Sequence, residues 1–162
     1  MKNFASVSVF CASLSAAPAF ATGDCKFLKK VALSEQRTAV IATGDLEPCS
    51  LGSYTVRIYS SENVQPGHDT TFYTFGLLQE RNGTVEDTFL ANLGPRVPSS
   101  LIVRIRSVGS GGYVSARAYV INKKGIRLVA AVSDQQPQTD LVAALKRQLA
   151  RRPKSSAGLS TN

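Results

Sequence analysis

The stretch SLIVRIRSVGSGGYVSARAYVIN, Ser100 to Asn122, decides how the chain folds. Its first third alternates: Leu101, Val103 and Ile105 fall on one side, Arg104 and Arg106 on the other. Only an extended strand turns a period of two into a single apolar face. Gly109-Ser110-Gly111-Gly112 then interrupts the pattern, and a second alternating run follows. In a strand beginning at Tyr113, residues Tyr113, Ser115, Arg117 and Tyr119 share one face, and Val114, Ala116, Ala118 and Val120 the other. Two strand-like runs joined by a glycine-rich break predict an antiparallel pair with a protruding loop. The glycines do not lead into a helix, so they form no phosphate or dinucleotide cradle.

Working outward, the same period recurs. SYTVRIYS, Ser53 to Ser60, places Tyr54, Val56 and Ile58 on one face. The runs TTFYTFGLLQE and TVEDTFLANL flank Arg81-Asn82-Gly83, and Asn-Gly predicts a tight hairpin because both turn residues tolerate positive φ. Lys123-Lys124-Gly125 marks a further turn into IRLVAAV, and CKFLKKVAL and RTAVIATG supply two earlier strands. Short strands at regular spacing, with turn residues between them, predict an all-β, antiparallel β-sandwich of about seven to eight strands. One C-terminal helix is expected on it. Thr139 is the predicted N-cap, Asp140 suits the positive end, Leu141, Leu145 and Leu149 make one stripe, and Pro153 ends it.

The first residues fix the compartment. MKNFASVSVFCASLSAAPAFA has an early lysine, an apolar middle and Ala19-Phe20-Ala21, the pattern of a cleaved secretory signal. The expected organisation is therefore a signal peptide at 1–21, a single domain at 22–152 and a small, polar, disordered tail at 153–162. No later stretch approaches the roughly 18 continuous apolar residues of a membrane span. Cys11 leaves with the signal. The remaining pair, Cys25 and Cys49, is an even count in an oxidising compartment and predicts a disulfide. The formal charge of +8 is concentrated at the end of the chain, in Lys146, Arg147, Arg151, Arg152 and Lys154; residues 22–145 hold 13 basic and 11 acidic side chains. A near-neutral body whose aromatics are not interleaved with basic residues argues against nucleic acid.

Catalysis fails on inventory. The chain has one histidine, His68, in a Pro-Gly context, so a serine triad lacks a convincing base. Val108 stands where the nucleophile-elbow pattern requires glycine. No buried carboxylate pair is signalled, no cysteine or histidine cluster suggests a metal, and no cofactor motif appears. Three glycines strip bulk from the loop and leave Ser110 and Tyr113 as its projecting chemistry. The residues alone leave two readings: a plain hairpin turn, or a narrow finger suited to a cleft.

The runs VRIRSVGSGGYVSARAY and DLEPCSLGSYTVRIYS, with the segment from Phe72-Tyr73-Thr74-Phe75-Gly76 onward, resemble the periplasmic inhibitors of invertebrate-type (I-type) lysozyme of Gram-negative bacteria. The likeness runs from about Asp45 to Ala144 and is most specific at Ser110 to Tyr113. It implies a non-enzymatic role in bacterial defence: a periplasmic β-sandwich that inserts this loop into the active-site cleft of an I-type lysozyme. Ser110 and Tyr113 would hydrogen-bond around the catalytic carboxylates, with Gly109, Gly111 and Gly112 shaping the loop. Arg117, on the strand face of Tyr113, joins them as a candidate contact. The oligomeric state is left open, a homodimer included. The competing reading is a non-inhibitory periplasmic β-sandwich that binds peptidoglycan or acidic polysaccharide through its basic end.

Overall fold

The computed structural model describes residues 25–61, 71–95, 97 and 99–151. The signal segment, His68 and the tail beyond Arg151 lie outside the described residues. Eight strands and one helix follow in order: β1 Leu28–Ala32, β2 Arg37–Thr43, β3 Leu51–Ser60, β4 Phe72–Asn82, β5 Thr84–Ala91, β6 Ser100–Arg106, β7 Val114–Asn122, β8 Gly125–Gln135 and α1 Leu141–Arg151. They make two four-stranded antiparallel sheets, β1-β2-β3-β4 and β5-β6-β7-β8. The expected architecture, an antiparallel β-sandwich with one C-terminal helix, is what forms.

Each sheet is a meander, so its alternating residues decide which face turns inward. Ala39 and Ile41 of β2, Tyr54, Val56 and Ile58 of β3, Leu101, Val103 and Ile105 of β6 and Tyr119 of β7 meet in the core between the sheets. Ile102 of β6 and Val114, Ala116 and Ala118 of β7 point the other way, where Leu141 and Leu145 of α1 cover them. The middle of the second sheet is thus buried on both faces, which explains why Leu101, Ile102 and Val103 are buried in succession on β6. Polar Thr88 and Ser100 are buried with them; the Thr88 hydroxyl donates to the Ile102 carbonyl at 2.9 Å. Between the sheets, the hydroxyls of Tyr54 and Tyr119 lie 2.5 Å apart and bolt β3 to β7. Burial raises both phenol pKa values, so the pair stays neutral.

Two local expectations are corrected. Asn82-Gly83 is not a hairpin: β4 and β5 belong to different sheets, and the chain crosses from one to the other there. The reason is Arg81, which is 2% exposed and donates to carbonyl oxygens of Pro48, Cys49, Ser53 and Gly83 at 2.6–3.1 Å. Those bonds pull the corner onto the β2–β3 connection rather than back along β4. The helix cap is also displaced by one residue: Asp140 Oδ1, not Thr139, accepts the Ala143 N–H at 3.0 Å. The Lys123-Lys124 turn forms as expected, with Asn122 paired to Gly125.

Candidate functional site

The loop of residues 107–113 joins β6 to β7. Its neck is closed by Ser107, whose N–H donates to the Tyr113 carbonyl at 2.8 Å. Inside that neck the Gly112 N–H donates to the Gly109 carbonyl at 3.0 Å, which makes Gly109 to Gly112 a four-residue turn with Ser110 and Gly111 at its centre. Ser110 is exposed at the tip. Tyr113 keeps 42% of its surface exposed.

The glycines are not equivalent. A Cβ added at Gly111 would lie 2.4 Å from Tyr113 Cε2, so the absence of a side chain there is what lets the ring lie against the turn. Gly112 has φ +54°, a left-handed conformation that L side chains pay for in strain. Gly109 meets nothing closer than Ser107 Oγ at 3.5 Å and is sterically free.

The loop is held from behind. Arg106 Nη1 donates to the Gly112 carbonyl at 3.1 Å, and Arg106 Nε bonds the Glu86 carboxylate. Glu86 also pairs with Arg104, whose Nε is 2.9 Å away. A register shift in β5 explains the placement: Val85 pairs with Ile105 and Asp87 with Arg104, leaving Glu86 as an extra residue. Such a bulge re-aims a side chain, and here it aims a carboxylate at the two arginines that alternate along β6. The chain from bulge to Glu86 to Arg106 to Gly112 was not read from the sequence. Only the Arg-x-Arg spacing before the loop hinted at it.

Arg117 sits elsewhere. Its Nη1 donates to the Glu80 carbonyl on β4 at 2.5 Å, and its guanidinium lies beside the Tyr54 and Tyr119 hydroxyls, where it offsets part of the rise that burial causes. It ties the two sheets together. The structure therefore brings Ser110, Tyr113 and the glycines into one element and engages Arg117 at the seam.

Beside the loop stands a second fixed feature, the β2–β3 connection, residues 44–50. The disulfide Cys25–Cys49, with Cα atoms 5.5 Å apart, closes it on one side, as the cysteine count predicts. Glu47 holds it on the other, accepting from Ser53 N–H at 2.6 Å and Ser53 Oγ at 2.7 Å, with Arg81 Nη2 at 3.5 Å. These Ser53 bonds, the backbone one foremost, keep the Glu47 pKa below its ordinary value. Among the described residues no group of three metal-binding side chains forms, and no helix is long and apolar enough to cross a membrane.

Residues 25–149 match the sequence profile of the family described as periplasmic lysozyme inhibitor of I-type lysozyme. A crystal structure of that inhibitor from Aeromonas hydrophila is similar, at 33% identity and a TM-score of 0.64, covering 74% of this chain and 98% of the other. The Aeromonas hydrophila inhibitor in complex with Meretrix lusoria lysozyme gives 34% identity and a TM-score of 0.64, over 74% of this chain and 95% of the other. No curated protein matches significantly.

Proposed function

The chain belongs to the family of periplasmic lysozyme inhibitors of I-type lysozyme, and from that premise we propose that it acts as such an inhibitor, with the loop of residues 107–113 as the inserted element. The observation that carries the reading is a loop fixed in shape yet exposed at its tip. Ser110 projects from a turn whose backbone is bonded within itself and to Arg106. A loop ordered before it binds loses little entropy on docking, which is how preorganisation raises affinity.

The chemistry of the target explains the residue types. A glycosidase keeps one carboxyl protonated as general acid and a second one ionised. A serine hydroxyl donates one hydrogen bond and accepts others, so Ser110 satisfies both carboxyl groups at once where a lysine or an aspartate would meet one of them badly. Tyr113 adds a stiff, amphipathic ring that fills the groove where sugar would bind. Its ring rests on Gly111, so it is presented in one orientation. The mature chain acts in the periplasm, released there by cleavage of the leader at Ala21, and its partner is an I-type lysozyme.

The test is a titration of the purified mature protein into lysozymes of several types during peptidoglycan lysis. Stoichiometric loss of I-type activity, with other types spared or weakly affected, is expected. Undiminished I-type activity at a large molar excess would refute the reading.

A further inference from the structure

A second element reaches solvent at the same end of the sandwich as Ser110. In the β2–β3 connection, Leu46 exposes 99% of its surface and has φ +60°. A leucine is strained in that left-handed region by its own Cβ, and glycine would relieve it. Strain that persists in a well-tethered segment is a pointer to function. This segment is well tethered. The Cys25–Cys49 disulfide, Glu47 on Ser53, Arg81 on the Pro48 and Cys49 carbonyls, and Lys26 on Asp45 at 2.8 Å all fix it within seven residues. Leu46 is held outward.

The position relative to the loop follows from contacts. The Gly83 N–H donates to the Ser50 carbonyl at 2.8 Å, and a Cβ on Gly83 would stand 2.1 Å from the Arg106 carbonyl oxygen. Ser50, Gly83 and Arg106 therefore touch in sequence, and Arg106 is the residue from which the 107–113 loop springs. Leu51, paired with Asn82 at this end of the first sheet, and Val108 in the loop are also exposed. The charges around the connection and the loop's foot are spent on one another: Asp45 with Lys26, Glu47 with Arg81, and Glu86 with Arg104 and Arg106. Apart from Asp134 near the end of β8, what Leu46 shares this rim with is uncharged: exposed Ser50, Asn82 and Ser110 among apolar side chains.

Resting on the proposed inhibition, we propose that Leu46 is a second anchor of the lysozyme contact, seated on an apolar, uncharged patch at the rim of the cleft that the Ser110 loop enters. The disulfide and Arg81 serve to present it.

The experiment measures calorimetric binding of the mature protein to an I-type lysozyme for wild type, Leu46→Gly, Leu46→Asp, Ser110→Ala and, as a control on β4, Leu78→Asp. Leu78 is likewise a strongly exposed leucine. Both Leu46 variants are expected to bind about tenfold more weakly. Leu78→Asp is expected to bind as wild type. Leu46→Gly sheds the left-handed strain, so its unfolding midpoint should stay level or rise while its affinity drops, a split that a purely structural residue would not show. Wild-type binding by both Leu46 variants, or an equal loss in Leu78→Asp, would overturn the second anchor. If Ser110→Ala weakens binding in that same series, the loop mechanism survives; if it too binds as wild type, both fall together.

Discussion

Two connections in this molecule place glycine beside a short polar residue, and they do opposite work. At Asn82-Gly83 the glycine faces inward with φ +114°, its Cα pressed against the Arg106 backbone and its carbonyl bonded by a buried arginine. At Gly109 to Gly112 the turn faces outward, and one of its glycines meets almost nothing. The same residue type builds a rigid corner in one place and a slender, exposed turn in the other. Surroundings make the difference: Arg81 at the corner has no counterpart at the loop tip, where Arg106 grips only the base.

The contrast predicts that the corner governs folding and the loop governs binding. Gly83→Ala should break the corner most, because the new methyl meets backbone atoms that cannot rotate away and φ becomes strained; a loss of about 3 kcal/mol is expected from urea unfolding. Removing the adjoining disulfide as Cys25→Ser with Cys49→Ser should lower stability by about 3 kcal/mol as well, read as a reduced unfolding midpoint. Ser110→Ala and Tyr113→Ala should invert the pattern. Folding should change by no more than about 0.5 kcal/mol for these exposed sites, while inhibition should weaken by about 2 kcal/mol or more in lysis assays.

Within the loop, the glycines sharpen the comparison. Gly111→Ala forces the Tyr113 ring off its seat and should weaken inhibition by about 1 kcal/mol, the scale of a displaced rotamer, whereas Gly109→Ala should be nearly silent. The smallest effect is that of acid on the corner. The Glu47 carboxyl is held below the ordinary glutamate value of about 4.3 by its Ser53 bonds. Its contribution is therefore complete above that value and lost as pH falls through its folded pKa. Thermal melts from neutral pH downward should show less acid sensitivity in Glu47→Gln than in wild type. Some should persist, since Asp45 beside Lys26 and Asp87 beside Lys29 are held low in the same way.

The strands were legible because alternation is a local property. Leu101, Val103 and Ile105, or Tyr54, Val56 and Ile58, announce an inner face without knowing what lies opposite. The helix stripe Leu141, Leu145 was legible on the same ground. The corner was not, because Asn-Gly carries turn propensity but no information about which sheet receives the next strand. That was set by Arg81, whose partners lie about thirty residues away in the chain. Ser110 and Tyr113 stood out by their setting among glycines, whereas the bulge that aims Glu86 at Arg106 depends on register between two strands. Arg117 shows the limit of face arithmetic: it lies on the predicted side of β7 but is claimed by Glu80 across the seam.

The most direct test of the account is competition for the cleft itself. Binding of the mature protein to an I-type lysozyme is measured while an N-acetylglucosamine oligomer occupies the enzyme's sugar-binding groove at increasing concentration. If the Ser110 finger enters that groove, the apparent Kd rises in proportion to oligomer concentration. An apparent Kd indifferent to a saturated groove would place the contact elsewhere on the enzyme and contradict the account.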